Sequence, residues 1–422
     1  IRFRKMQKKH LIRMKRNNTR MLIAATILLL MAVVQPLEGQ ARLKLSKTDT
    51  LSHPLLSLLK ESASQVFHDP SPPRFVMIDS TGKYLFGMGG YVSCYAYYDG
   101  TGFLSRDMIT ALIPMDHSSL RSGRFSLDAS NSRIFFQLIG DTPLGKVQAY
   151  IEGGFSAQGN TFSMKHAYLS VKHLLIGQTW SNIMDLKASP ATVDGEGPSG
   201  LNGLRQPQIR YGWIWTNGFR FFASLEDPEI TMLDIPENMV LEDVQIMGQR
   251  FPDLILSTGY DRTKWHMQLA GVLRFMEKQR GYGLALSGHL DLTPRDVIMF
   301  QATGGAGIGH YIQDLGGLGY DVFINERGDL DKIRALGYYA AWEHHWNDRC
   351  FTGLVYSAVH VEPYKNAPDY FYRKTNYAAL NTFWTVYNHG MFGIEAIYGD
   401  RKDHDGRKGY TWRLNCMLRY NF

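Results

Sequence analysis

The fold of this chain is decided by one stretch, Tyr410-Thr-Trp-Arg-Leu-Asn-Cys-Met-Leu-Arg-Tyr-Asn-Phe422. Every even position is apolar or aromatic, and every odd position except Met417 is polar. Such alternation predicts a β-strand with one apolar face and one polar face. The stretch is longer than most strands of soluble proteins, and its length suits a strand that crosses a membrane at a tilt. It therefore predicts an all-β fold, a transmembrane antiparallel β-barrel, whose last strand ends on an aromatic residue.

The first 41 residues predict an export signal that is not part of the fold. Counted from Met14, basic residues precede an apolar run over 21–34 and a small-residue exit at 39–41. This run is short for a membrane helix, and a signal anchor is the alternative. The predicted division is a removed N-terminal extension and signal peptide (1–41), a short periplasmic lead-in (42–80) and the barrel (81–422).

Charge and cysteine content exclude several classes of function. Residues 1–41 hold nine of the 46 Lys and Arg residues and one of the 39 Asp and Glu residues. The remaining chain has 37 bases and 38 acids, so its net charge of −1 gives no reason to expect a nucleic acid partner. The three cysteines, Cys94, Cys350 and Cys416, match no metal or redox spacing. We therefore predict no cofactor and no metal.

Two kinds of connection alternate along the chain from Lys83 onward. One kind is short and turn-like, and the other is long, polar and rich in glycine. This asymmetry is expected when turns face the periplasm and loops face the outside. Seven turns and eight loops join sixteen strands, an even number that leaves both termini on the turn side. The turns are 141–145, 172–173, 216–218, 261–264, 292–295, 347–349 and 388–390, and the loops are 98–123, 156–163, 181–204, 227–251, 276–280, 305–333, 361–374 and 402–408.

The stretch from Trp265 to Phe275 alternates in the same way as the C-terminal strand. Its apolar positions would face lipid, whereas His266, Gln268 and Arg274 would face the interior. A soluble β-sandwich also alternates, but its interior is apolar. Charged residues that share an interior require water there, so the pattern predicts a water-filled lumen.

One segment carries distinctive motifs. It begins with Gly177-Gln-Thr-Trp180, continues through Glu196-Gly-Pro198 and ends with Arg205-Gln-Pro-Gln-Ile-Arg-Tyr211. These motifs, in this order, resemble those of the DcaP-like family of trimeric outer-membrane porins, over roughly residues 80–422.

The resemblance implies a fold, a location and a function. The fold is a sixteen-stranded barrel, assembled as a homotrimer and surrounded by outer-membrane lipid. The location is the outer membrane of a Gram-negative-type bacterium. The function is passive diffusion of small hydrophilic solutes and ions, including anionic, dicarboxylate-like solutes.

Loop 181–204 is the third loop, at the place where porins often fold a loop into the lumen. It carries three acids, and acids that face bases across a narrow pore create a transverse field. Rings of fixed charge also set ion preference. The alternative is that the same charges only pin the loop to the wall through salt bridges. The candidate constriction and solute-binding residues are Asp185, Asp194, Glu196, Arg205, Gln208, Arg210 and Arg133.

The strand after the third loop is expected to supply the opposing bases. We group Arg205, Gln208 and Arg210 on one face, opposite to Ile209 and Tyr211. This grouping predicts that the acids of the third loop face Arg205 and Arg210. Replacing both arginines would then shift ion selectivity toward cations.

Other classes of protein stay open at this point, namely a barrel enzyme, a surface adhesin or receptor, and a soluble secreted β-protein. An enzyme needs a nucleophile beside a base. Ser287 and His289 share a face, but that face is predicted to be the lumen. Glu343-His-His345 resembles a metal cluster, yet neighbouring histidines on a strand point to opposite sides, which favours an aromatic belt.

Overall fold

The computed structural model describes residues 73–101, 105–115, 123–156, 160–227, 230–233, 244–247, 249, 251–276, 279–327, 329–365, 367–387 and 389–422. This part is mostly β-structure, with short 3-10 helices at Thr110–Leu112, Gly309–Tyr311 and Gln313–Leu315. Within it, no helix has the length and apolar character needed to cross a membrane. The predicted signal peptide and most of the predicted lead-in lie outside the described residues.

The described strands are numbered in chain order. They are β1 (Phe75–Ile78), β2 (Tyr84–Asp99), β3 (Arg124–Asp128), β4 (Arg133–Thr142), β5 (Gly145–Gly154), β6 (Ser163–Val171), β7 (Leu174–Trp180), β8 (Arg205–Ile214), β9 (Phe219–Glu226), β10 (Ile230–Leu233), β11 (Val244–Met247), β12 (Asp253–Asp261), β13 (Trp265–Met276), β14 (Gln279–Asp291), β15 (Asp296–Ala306), β16 (Val322–Ile324), β17 (Leu330–Lys332), β18 (Arg334–Asn347), β19 (Cys350–Val361), β20 (Tyr372–Val386), β21 (Gly390–Asp403) and β22 (Lys408–Asn421).

Sixteen of these strands, β2, β4–β9, β12–β15 and β18–β22, form a closed antiparallel barrel. Each strand pairs with the next barrel strand along the chain, and β22 closes the barrel on β2 in a register that sets Leu418 opposite Cys94. The predicted turns and loops separate consecutive barrel strands where the sequence places them. The prediction of an all-β barrel of sixteen strands is confirmed.

Two short strands lengthen the wall beside β2. β3 pairs with Tyr95–Asp99 and β4 with the other half of β2, so β3 and β4 act as one interrupted strand. β1 lies against residues 85–88, next to Phe422, whose backbone exchanges hydrogen bonds with that of Gly90. Residues 75–78, which the sequence predicts to be part of the lead-in, are therefore part of the sheet.

The barrel wall has the two faces that the alternation predicts. On β22, Trp412 and Leu414 are 39% and 51% exposed, whereas Thr411 and Arg413 are 0% and 1% exposed. On β13 the apolar positions face outward, and polar positions such as His266 are buried inside. The wall thus presents an apolar band outside and polar side chains inside, as a membrane barrel requires.

Three long loops pack against the inside of the wall. They are the first loop (100–123, described at 100–101, 105–115 and 123), the third loop (181–204) and the sixth loop (307–333). One apolar cluster joins Ala111, Ile183 and Ile312 of these loops with inward-facing wall residues that include Val359. The loops therefore occupy one side of the barrel interior, and the polar contacts described next hold them there.

Candidate functional site

The third loop, residues 181–204, runs along the inner wall of the barrel. Near its start, the Asn182 side-chain amide donates to the carbonyl of Ile255 at 3.2 Å. Near its end, the Asn202 amide donates to Thr303 Oγ1 at 2.9 Å. Between these ends, the loop has contacts with side chains that include those of β13, β14, β18, β19, β21 and β22. A loop held at this many points is a fixed part of the lumen and not a mobile surface segment.

Asp185 anchors the first half of the third loop to β13 and β14. Its carboxylate contacts His266 Nε2 at 2.8 Å and accepts a hydrogen bond from Ser287 Oγ at 2.6 Å. Arg220 Nη2 of β9 lies 3.7 Å away. Burial alone would raise the pKa of Asp185, but the hydrogen bond with His266 and the nearby positive charge hold it below its usual value. Asp185 is therefore an anionic anchor.

Asp194 anchors the tip of the third loop. Its backbone N–H donates to Glu395 of β21 at 2.8 Å. Its carboxylate accepts from the Met108 backbone N–H of the first loop at 3.1 Å and lies 3.7 Å from Arg413 Nη1 of β22. One acid thus connects the third loop to the first loop and to the last strand of the wall.

Glu196 lies where three loops meet. Its electrostatic neighbours are Asp107 of the first loop, Asp194 of its own loop and Asp314 of the sixth loop. Its side chain is hydrogen-bonded to Gln313. Burial first, and then the negative charge of Asp107, raise the pKa of Glu196 well above its usual value. The first loop, whose part in this site the sequence analysis missed, therefore carries an acid into the lumen beside the third loop.

Gln208 and Arg210 face inward on β8, as the sequence predicts. Arg210 Nε donates to Gln208 Oε1 at 2.8 Å, and Arg210 also donates to the backbone carbonyl of Trp180. Gln208 donates to the carbonyl of Thr179 at 3.2 Å. These two side chains therefore donate to backbone carbonyls at the end of β7.

Arg205 belongs to the other face of β8, and its predicted grouping with Gln208 and Arg210 is wrong. It stands an even number of residues from the exposed Ile209, and an alternating strand sends both to the same side. The guanidinium lies 3.4 Å from the centre of the Trp180 ring. Because the strand ends here, the side chain still reaches the inward-facing His166, to whose Nε2 it donates at 3.2 Å.

Arg133 is part of a group of bases on β4, β6, β8 and β22. Its Nη1 pairs with Glu152 Oε1 at 2.8 Å, and its guanidinium lies 5.8 Å from the Tyr91 ring centre. Arg419 lies 5.1 Å from the same ring. Arg205 is an electrostatic neighbour of Arg133. We call Arg133, Lys165, Arg205 and Arg419 the basic cluster.

The sequence predicts that the acids of the third loop face Arg205 and Arg210, but in the structure Asp185 and Asp194 have other positive partners. Asp185 takes its positive partners from β9 and β13, and Asp194 takes Arg413 from β22. Arg413 is 209 positions or more from the third loop in sequence order, and only closure of the barrel brings it near. The salt bridges that pin the loop, which the sequence offered as the alternative, are therefore present.

The other candidate chemistries have ordinary contacts in the described residues. Ser287 donates to Asp185, and His289 Nδ1 lies 3.1 Å from the Lys187 carbonyl, so they do not form a nucleophile–base pair. In the Glu343-His-His345 segment, Glu343 accepts from the Ala191 N–H of the third loop at 3.1 Å. That glutamate thus serves as a further anchor of the loop.

A closed sixteen-stranded barrel, apolar outside and lined by charged side chains with a loop folded inside, defines the porin class of outer-membrane channels. The chain belongs to the DcaP outer membrane protein family, whose model matches residues 76–422. It is therefore an outer-membrane protein, and its family and fold point to a channel rather than to an enzyme.

Comparisons with solved structures show the same fold. The outer membrane channel DcaP of Acinetobacter baumannii is 17% identical, with a TM-score of 0.72 over 82% of this chain and 99% of that chain. An anion-selective porin from Comamonas acidovorans is 13% identical, with a TM-score of 0.57 over 81% and 100%. OmpT of Vibrio cholerae, in a trimer form, is 10% identical, with a TM-score of 0.50 over 81% and 100%. A sequence comparison with curated proteins found no match.

Proposed function

We propose that this protein is a porin for passive diffusion of small hydrophilic solutes and ions, with a preference for anionic, dicarboxylate-like solutes. The observation that carries the proposal is the basic cluster. It lies on β4, β6, β8 and β22, whereas the third loop takes most of its wall contacts from β12–β21. A solute that passes between the loop and the opposite wall would meet these bases.

The chemistry of the basic cluster suits carboxylates. The planar guanidinium groups of Arg133 and Arg205 match carboxylate geometry and can bind two oxygens at once. Glu152 pairs with Arg133, so the wall is not uniformly positive and an anion is attracted without being trapped. Asp107 of the first loop, which pairs with Arg106 at 2.7 Å, is the acid on the loop side that can supply charge of the opposite sign. The resulting transverse field would run between partners other than those that the sequence predicts.

We also propose a homotrimer. The support is family membership together with the trimer form of OmpT, a barrel of the same fold. The size of the detergent-purified assembly, measured by native mass spectrometry, tests this part. A monomer would contradict it.

The experiment is single-channel recording in a planar bilayer, with the reversal potential measured across a salt gradient. Wild-type protein is expected to conduct in clusters of three steps and to prefer anions. Arg133→Gln with Arg205→Gln should lower the anion-to-cation permeability ratio by about twofold or more, because two fixed positive charges leave the lumen. The matched control is Arg295→Gln with Arg349→Gln, which removes two exposed arginines from the turns.

Each outcome has a defined meaning. Equal reversal potentials for wild type and the Arg133/Arg205 variant would contradict the anionic preference. A shift of equal size in the turn control would show that net charge, and not the basic cluster, sets selectivity. Folded protein that does not conduct would overturn the porin proposal and favour a closed barrel that acts as a surface receptor.

A further inference from the structure

Three lysines and a histidine form a row across neighbouring strands on the outside of the barrel. In the β-ladder, His360 of β19 is opposite Lys374 of β20, Lys374 is opposite Lys402 of β21, and Lys402 is opposite Lys408 of β22. We call these residues the basic row. All four stand at the loop end of their strands. They are distinct from the basic cluster, which faces the lumen.

The position of the basic row relative to the membrane can be derived from the rows of side chains nearer the turns. Tyr356, Tyr398 and Trp412 lie in one cross-strand row and are 45%, 47% and 39% exposed. Two residues further toward the turns is a row of exposed apolar side chains that includes Leu354 and Leu414. The basic row is four residues beyond the aromatic row, roughly 13 Å along the strand. Aromatic residues mark the membrane interface, so the basic row lies at the level of lipid headgroups of the outer leaflet.

A β-bulge adds a fifth base to this surface. The register shifts between Tyr372 and Lys374, which leaves Arg373 as the extra residue. Such a bulge re-aims a side chain. Arg373 lines a groove of about 300 Å³ together with the outward-facing Arg334, Leu336 and His360.

A second groove continues the first along the outer wall. It has a volume of about 560 Å³ and shares Arg334, Glu362 and Pro363 with the first groove. It adds Lys332 and the exposed ring of Tyr282. The combined surface offers bases above and apolar side chains below, which is the arrangement that an amphipathic ligand requires.

The bases of this surface have few partners of their own. Within the described part of the chain, Arg373, Lys374, Lys402 and Lys408 form no ion pair and no side-chain hydrogen bond. Three acids are nearby. Asp400 accepts from Asn376 at 2.8 Å, Glu362 pairs with Arg334 at 3.4 Å, and Asp331 lines the second groove. Like charges directly opposite in a ladder are destabilising. A bound anion would remove this repulsion.

We propose that the basic row and the adjoining grooves bind the phosphorylated headgroup of an outer-leaflet glycolipid. Lysine and arginine side chains are the usual partners of phosphate in lipid headgroups. The phosphates lie on the basic row and Arg373, and the acyl chains lie on the aromatic and apolar rows below. A solute in transit does not reach this surface because it faces away from the lumen.

The experiment compares lipid retained by full-length barrels after detergent purification. The probe is purified lipopolysaccharide, with its dephosphorylated form as the second arm and inorganic phosphate as a competitor. Retention is measured by native mass spectrometry for wild type and for the variant Lys374→Gln, Lys402→Gln, Lys408→Gln. The matched control, Lys264→Gln, Arg295→Gln, Arg349→Gln, removes three bases at the opposite end of the barrel.

The amount of lipopolysaccharide that the basic-row variant retains is expected to fall about tenfold, since each base near a charged lipid surface contributes to binding. The control should bind as wild type does, and the dephosphorylated lipid should bind neither protein well. Heat-modified mobility and single-channel conductance should be unchanged in both variants, because the replaced side chains are outside the lumen. This keeps the test independent of the proposed porin function.

Three results would overturn the proposal. The first is equal lipopolysaccharide retention by wild type and the basic-row variant. The second is equal binding of phosphorylated and dephosphorylated lipid. The third is complete displacement of the lipid by millimolar inorganic phosphate, which would make the row a site for free phosphate.

Discussion

Arg413 and Asp194 connect the last strand of the barrel with the tip of the third loop. Their Nη1 and Oδ1 atoms are 3.7 Å apart, and both side chains are almost inaccessible to solvent. Arg413 Nε also donates to Asp99 Oδ1 of β2 at 2.7 Å. The Arg413 guanidinium therefore contacts both β2, on which β22 closes the barrel, and the third loop.

Arg413→Gln is expected to release the third loop. The change leaves the buried Asp99 without its positive partner, at a cost of about 3–5 kcal/mol, and removes the charged neighbour of Asp194. The loop tip should then fluctuate, and single-channel recordings should show larger and noisier conductance steps than wild type.

The matched control for this change is Arg401→Gln. Arg401 is also an inward-facing base and pairs with Asp403 at 2.7 Å, but it contacts the first loop and not the third. Its variant should lose stability without the conductance noise. Identical recordings from the two variants would show that the loop does not depend on Arg413.

The pH dependence of stability is expected to include a contribution from Asp314 in the sixth loop. Its carboxylate accepts from the backbone N–H of Thr110 at 2.6 Å and from Thr110 Oγ1 at 2.8 Å. Burial raises the pKa of Asp314 to about 6, although the hydrogen bonds from Thr110 oppose the shift. The native state therefore binds this proton more tightly than the unfolded state does. Its contribution to stability is complete below pH about 4 and is lost as the pH rises through about 6.

The measurement compares the free energy of unfolding of wild type and Asp314→Asn between pH 4 and 8. Relative to the variant, wild type should lose about 2–3 kcal/mol between pH 4 and 6 and change little above. Asp329→Asn, an exposed change in the same loop, is the control and should follow wild type. Parallel curves for wild type and Asp314→Asn would contradict the assignment.

The backbone conformation at residue 177 explains why the Gly177-Gln-Thr-Trp180 motif begins with glycine. Its φ is +131°, and a Cβ there would lie 2.3 Å from the Ala167 carbonyl oxygen of the neighbouring strand. Gly177→Ala should therefore destabilise the barrel by about 1–3 kcal/mol or more and lower its refolding yield into lipid vesicles.

Gly271→Ala is the matched control for that change. Gly271 is also in a barrel strand, but an added Cβ would lie 3.4 Å from Leu284 Cδ2 and 3.9 Å from the Gly283 carbonyl oxygen, both ordinary contacts. Its refolding yield should be close to that of wild type. Equal losses for both alanine variants would show that glycine content, and not the conformation at Gly177, is what matters.

Several elements of the fold could be predicted because their information is local. The alternation at 410–422 and 265–275 follows directly from a strand that has lipid on one side, so it identifies both faces. The turn at 216–218 contains Asn217-Gly218, and Gly218 has the positive φ that a tight hairpin turn needs. The strand 75–78 was missed because it is short and follows a proline-rich segment.

The candidate site was predictable only in part. The third loop could be selected by its position and its acids, and Gln208 and Arg210 do face inward. Arg205 stands at an odd spacing from Gln208, so the strand period separates it from Gln208 and Arg210, and its side chain reaches the lumen only because the strand ends there. The pairing of Asp185 with Arg220 and of Asp194 with Arg413 could not be found, since these bases carry no local sign of their partners.

The sequence by itself determined the class of fold, the number of strands, the two faces of the wall and the loop that carries charge. Alternation and turn chemistry act between residues that are near in the chain, so both can be predicted from the sequence. Only the tertiary structure decided which base contacts which acid inside the lumen, and which bases align in a row outside it. These contacts depend on closure of the barrel and on strand register, because both bring residues together that lie far apart in the sequence.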